Sequence, residues 1–167
     1  MDSVRKRQHD VNAPVRPSRS PAGEAFTDLV LEVAWLGGLF TAKGEALARI
    51  ADQTLARWVI LDAVEEAPST VAAIARRRGI ARQAVQRVAD LLERDGLAVF
   101  EANPGHRRAK LLRPTPKGRE TLRRISVAQK AWADAVGAEI GEVKLRRAKA
   151  LIEEIRRSVT AEGSSSG

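Results

Sequence analysis

The sequence predicts a mostly α-helical chain carrying one small β-hairpin. Three observations lead there. Apolar residues recur at three- and four-residue spacing along most of 24–161. Two short apolar runs flank Asn103-Pro104-Gly105, whose residues favour a turn. Segments at both ends of the chain carry apolar stripes beyond the needs of a three-helix core with a hairpin.

The first helix is expected from about Glu24 to Ile50, with Phe26, Leu29, Val30, Val33 and Leu36 in helical register. Gly37 and Gly38 weaken it and mark a kink or a place where another helix comes close. The second helix runs from about Thr54, a fair N-cap, to Glu66, before Pro68. The third starts near Thr70, buries Val71 and Ile74, and ends at Gly79. The fourth covers about Arg82 to Asp95, with Val85, Val88, Leu91 and Leu92 inward, and Gly96 ends it.

A strand at Leu97–Phe100, the loop Asn103–Arg108 and a strand at Lys110–Arg113 form the hairpin. Thr115 caps the fifth helix, and Pro116 takes its first position, where a missing N–H costs nothing. This helix reaches about Ala138, with Leu122, Ile125, Gln129, Trp132 and Val136 on one stripe. The sixth, about Glu142 to Ala161, carries Leu145, Ala148, Ile152, Ile155 and Val159 in a heptad-like seam. The fold class is therefore a winged helix-turn-helix plus long N- and C-terminal helices suited to dimerisation. The expected layout is a disordered basic arm at 1–22, an N-terminal dimerisation helix at 23–53 and the winged unit at 54–118. C-terminal dimerisation helices follow at 119–162, with a flexible GSSSG tail at 163–167.

Composition removes several classes of chemistry. With no Cys there are no disulfides, thiolate nucleophiles or thiol redox sensors. Two scattered His give a transition metal little to bind, and no cofactor is expected. Paired carboxylates in a pocket, a nucleophile beside a base and a phosphate loop are all missing, so an enzyme is the weakest reading. No run approaches 18 consecutive apolar residues and no apolar signal core opens the chain, so no membrane partner is expected and a cytoplasmic location is.

The net charge of +8 is unevenly spread. Residues 23–69 carry −5, whereas 70–114, which hold the helix-turn-helix and the hairpin, carry +6. A polyanion is the simplest partner for that asymmetry. The start of the fourth helix places Arg82, Gln83, Gln86 and Arg87 opposite its buried face. Arg matches guanine O6/N7 and Gln matches adenine N6/N7, so Gln83 and Gln86 are expected near base edges. Arg82 and Arg87 divide between guanine and phosphate, and Ala84 falls near a thymine methyl. Arg107 and Arg108 at the hairpin tip suit a narrow minor groove, and Lys110 and Arg113 suit flanking phosphates. Arg76, Arg77 and Arg78 fit either phosphate contact or a helix C-terminus.

The run from Thr54 to Glu120 resembles the MarR (multiple antibiotic resistance regulator) family. The carriers are QTLARWVIL, TVAAIARRRGIARQAVQRVADLLERDGL and, most sharply, RRAKLLRPTPKGRE. The resemblance implies a homodimeric transcriptional regulator, most often a repressor, on a pseudopalindromic duplex site. In many members a small anionic or phenolic effector, held between the dimer helices and the winged domain, lowers DNA affinity. Trp35, Phe40, Trp58 and Trp132 are available to line such a pocket or to pack as plain core. Two positions depart from the family pattern. His106 stands where an Asp usually orients the wing arginine, and Ala81 where a Ser usually precedes the recognition helix. Two other readings stay open: an architectural DNA-coating protein without sequence preference, and a protein–protein adaptor that retained the fold.

Overall fold

The computed structural model describes residues 18–105 and 108–164, with side chains through 161. The elements run α1 (Pro21–Arg49), α2 (Leu55–Asp62), α3 (Val71–Arg78), α4 (Arg82–Arg94), β1 (Ala98–Glu101), β2 (Leu111–Pro114), α5 (Pro116–Ile140) and α6 (Glu142–Ser164). This is the expected helical chain with one antiparallel hairpin.

Most helix starts follow from side-chain caps. Thr54, Thr70 and Thr115 each accept a hydrogen bond from the backbone N–H three residues on, and so satisfy one orphan donor at a helix N-terminus. α1 begins earlier than expected. Ser20 accepts from Gly23 N at 3.1 Å, and Pro21 fills the first turn. α2 ends four residues before its expected limit. The chain must leave the helix in time for Ser69 to bridge Leu112 of β2, with backbone bonds of 3.1 and 2.9 Å. Arg77 donates to the freed Ala63 carbonyl at 2.7 Å. α6 extends to Ser164, so part of the expected tail is helical. Residues 1–17 and 165–167 lie outside the described residues.

The main core unites Ile60 and Leu61 of α2, Ile74 of α3, Val85 and Leu92 of α4, Leu112 of β2 and Leu122 of α5. A second cluster joins Leu47, Ala51 and Ile125, with Trp58 packed against both. In the hairpin, Ala98 pairs with Pro114 and Phe100 with Leu112. With Ser69 on its other edge, β2 is held on both sides.

By packing, the chain divides after Phe40. The part of α1 before that point is an uninterrupted helix with exposed side chains nearly all round, Leu31 (64%) and Trp35 (68%) most of all. It passes through Gly37 and Gly38 without a break, and a Cβ at either would meet nothing within 4 Å beyond the helix's own backbone among the described residues. No run of 18 consecutive apolar residues occurs in the chain, but α1 meets a looser criterion. α1 contains an 18-residue window of mean hydropathy at least 1.2 with no more than two charges, and by length and composition it could cross a membrane. Asp28, Glu32 and the glycines interrupt the run and lower its mean, but the Leu, Val and Phe around them keep the mean above that value.

Candidate nucleic-acid interface

The turn between α3 and α4 orients the interface. Gly79 adopts φ 64°, ψ 31°, a left-handed conformation that costs glycine nothing, and Ile80 N closes on Ala75 O at 3.1 Å. α4 then starts at Ala81, which supplies no side-chain cap. Val85, Ala89 and Leu92 lock one face of α4 into the core. The opposite face is thereby fixed outward, and Arg82, Gln83, Gln86, Arg87 and Asp90 are exposed on it. Ala84 is half-buried at its flank.

The wing supplies the second wall. Arg108 and Lys110 are exposed, and with Thr70, Arg82, Gln86 and Asp90 they border a groove between the start of α3, the face of α4 and the hairpin. The side chains of Arg82, Gln83, Arg87, Arg108 and Lys110 form no hydrogen bond or ion pair among the described residues, and all five are exposed. His106 and Arg107 lie outside the described residues. Three other basic side chains are engaged internally. Arg113 pairs with Glu101 across the hairpin, Arg77 donates to Ala63 O and Ser69 Oγ, and Arg78 pairs with Asp62 at 2.6 Å. These contacts brace the scaffold and leave Arg76 as the member of its triplet without a described partner.

Several positioning contacts escaped the sequence reading. Glu93 of α4 accepts from Phe100 N at 3.2 Å and ties the recognition helix to the wing strand. Thr115 Oγ1 donates to Gly96 O at 2.7 Å, and Lys117 Nζ donates to Asp95 O at 2.9 Å. Arg57 of α2 pairs with Asp95, the C-cap of α4, at 2.6 Å. The Arg57 guanidinium, helped by Arg94, holds the Asp95 carboxyl below its ordinary value. Gln86 Nε2 donates to Asp90 Oδ1 at 2.7 Å. The i, i+4 spacing of Gln86 and Asp90 was available in the sequence, but a search for cations and amides passes over a carboxylate.

The four aromatic candidates separate. Trp58 and Trp132 both pack against the Leu47–Ala51–Ile125 cluster, and Lys43 Nζ stands 5.7 Å from the Trp132 ring centre. Trp35 and Phe40 are exposed on α1 before residue 41.

A family model described as "MarR family" matches residues 52–109, the stretch from just before α2 to the wing. The Mycobacterium tuberculosis protein Rv2011c is 43% identical over 112 residues, 65% of this chain and 78% of that one. The chain belongs to the MarR family. Among solved structures, Staphylococcus aureus MarR in complex with salicylate and kanamycin superposes with a TM-score of 0.72 at 19% identity, over 83% of this chain and 95% of that one. The M. tuberculosis regulator MOSR, solved with DNA, gives 0.62 at 21% identity, over 78% and 96%. At these identities the likeness is one of fold, the winged helix of MarR-family transcription regulators. The family is one of transcription regulators and not of enzymes.

Proposed function

We propose that this MarR-family protein is a homodimeric, sequence-specific DNA-binding repressor of transcription, relieved by a small aromatic or anionic ligand. The observation that carries DNA binding is the outward face of α4. Two Arg and two Gln stand there with the donors that guanine and adenine edges require, beside Arg108 and Lys110 of the wing. The solved complex of MOSR with DNA supports the same use of the fold.

The occupant of the apolar terminal helices is a second copy of the chain. Phe26, Val30, Val33 and Leu36 of α1 and Leu145, Ile152 and Val159 of α6 are all exposed in the single chain. A helix apolar all round is stable only when covered. A twofold dimer covers it and presents two copies of α4 to successive major grooves about 34–36 Å apart, which calls for a pseudopalindromic site. For the effector, Trp58 and Trp132 offer aromatic surface and Lys43 a nearby positive charge. Salicylate, one of the two ligands of the S. aureus structure, is of that class.

The test is a binding titration of the purified protein on the DNA flanking its own gene against scrambled duplex, across a salt series. A preference of about a thousandfold supports sequence-specific regulation. Equal affinity with a steep salt slope supports the architectural reading instead. No binding at low salt leaves the adaptor reading. A reporter driven by the bound promoter fixes the sign of regulation, and salicylate added to the titration tests relief.

A further inference from the structure

We propose that Asp90 is a specificity determinant of the DNA interface. With Gln86 it selects a base that offers an amino group in the major groove. The proposal rests on the DNA-binding reading above and names a residue that a census of cations leaves out.

Asp90 lies one helical turn beyond Gln86 and two beyond Gln83, on the same face of α4. It borders the groove shared with Arg82, Arg108 and Lys110, and also the depression on the other flank, shared with Gln83 and Arg87. It therefore stands on the crest between two rows of DNA-facing side chains. It is exposed, and it forms no ion pair with any of those cations among the described residues. Its described hydrogen bond is from Gln86 Nε2 at 2.7 Å.

A carboxylate on a surface that meets phosphates weakens binding to duplex of any sequence, unless a base edge compensates it. An ionised Asp only accepts hydrogen bonds. In the major groove, guanine O6 and N7 and thymine O4 also only accept, and the donors are cytosine N4 and adenine N6. Asp90 thus matches cytosine or adenine and is repelled by the other two edges. The bond from Gln86 adds a second effect. It commits one Nε2 hydrogen and so fixes the amide orientation, with Oε1 and the other Nε2 hydrogen still available. Gln86 keeps its two-point fit to adenine, in an orientation that Asp90 dictates.

The test is selection from a randomised duplex pool, followed by titration of single-base variants, with the full chain as wild type, Asp90→Asn and Asp90→Ala. Thermal melts confirm that each variant folds. The wild type is expected to select a site with cytosine or adenine at one defined position per half-site. Asp90→Ala, which removes the acceptor, should lose discrimination at that position by about tenfold to a hundredfold, whereas the amide of Asp90→Asn should keep adenine and lose cytosine. The affinity of both variants for unrelated duplex should rise, because a negative charge has gone. Wild-type preference retained at every position by Asp90→Ala overturns the proposal and leaves the DNA-binding reading intact. Failure of the wild type to select any sequence overturns both.

Discussion

Gly118, in the first turn of α5, lies directly against the backbone carbonyl of Leu97 at the root of the wing. A Cβ at residue 118 would sit 2.0 Å from Leu97 O and 3.0 Å from its carbonyl carbon. The obstacle is main chain, so no side-chain rotamer relieves it. The contact lets Thr115 reach back to Gly96 O and Leu97 O while capping α5. Gly118→Ala is therefore expected to destabilise the fold by about 1–3 kcal/mol or more, the scale of overpacking in a tight interior. Urea unfolding checks this, with a lower midpoint at unchanged slope as the expected result.

The Arg57–Asp95 pair sets an acid limit on the same region. Asp95 is ionised in the native state at pH values where the unfolded chain, with a carboxyl near 3.8, has begun to protonate. The unfolded state then binds more protons, so stability falls with falling pH. The contribution is complete above the ordinary value and is lost as the pH drops through the lowered native one. The melting temperature of Asp95→Asn should lie below that of the wild type at neutral pH, and the gap should narrow below pH 4. A constant gap across pH would remove the electrostatic explanation.

How much of this was legible in the sequence depends on the range of the forces involved. Thr54, Thr70 and Thr115 cap helices through contacts three residues away, and the apolar period that follows each is visible in the chain. The outward face of α4 was legible too, because Val85 and Leu92 define its opposite. The end of α2 was not, since it is set by Ser69 meeting Leu112, far along the sequence. Nor was Gly118, whose need for a bare Cα comes from the Leu97 carbonyl twenty-one residues earlier. Arg113 read as a phosphate contact, but its diagonal neighbour Glu101 takes it. Pro21 falls within the basic arm expected at 1–22, but Ser20 caps the helix that starts there.

Ala81 leaves the start of α4 without a side-chain acceptor, at φ −57° and ψ 132°, a backbone that a capping serine adopts without strain. Ala81→Ser should stabilise the protein by about 1 kcal/mol, the usual worth of an N-cap. The melting temperature should rise by a few degrees. An unchanged or lower value would mean that the helix start already has an equivalent partner.

On the DNA face, wing and helix should fail differently. Arg108→Ala removes a cation at the hairpin, so it should weaken binding to the native site and reduce the salt slope by about one. Gln83→Ala removes an amide proposed to read a base edge. It should cost about tenfold or more on the native site, with little change on scrambled DNA or in the salt slope. If both variants lose affinity equally on every duplex, Gln83 contacts backbone and not bases.

The proposed dimer makes the sharpest demand on the chain, because it must cover surface that the single copy leaves bare. Leu36 of α1 is 43% exposed and Ile152 of α6 is 53% exposed, in stripes that otherwise keep helical spacing. A carboxylate placed in either stripe must be desolvated against the partner, at several kcal/mol, whereas in a monomer it stays in water. Leu36→Glu and Ile152→Glu should each shift the species seen by light scattering from about twice the chain mass toward the chain mass. Affinity for a two-half-site operator should fall with it, because two linked recognition helices bind far more tightly than one. The winged unit should keep its fold, as its core of Ile60, Ile74, Leu92 and Leu122 includes neither position. A monomeric wild type would refute the dimer at once. Wild-type chain that partitions into lipid vesicles would assign the apolar surface of α1 to a membrane.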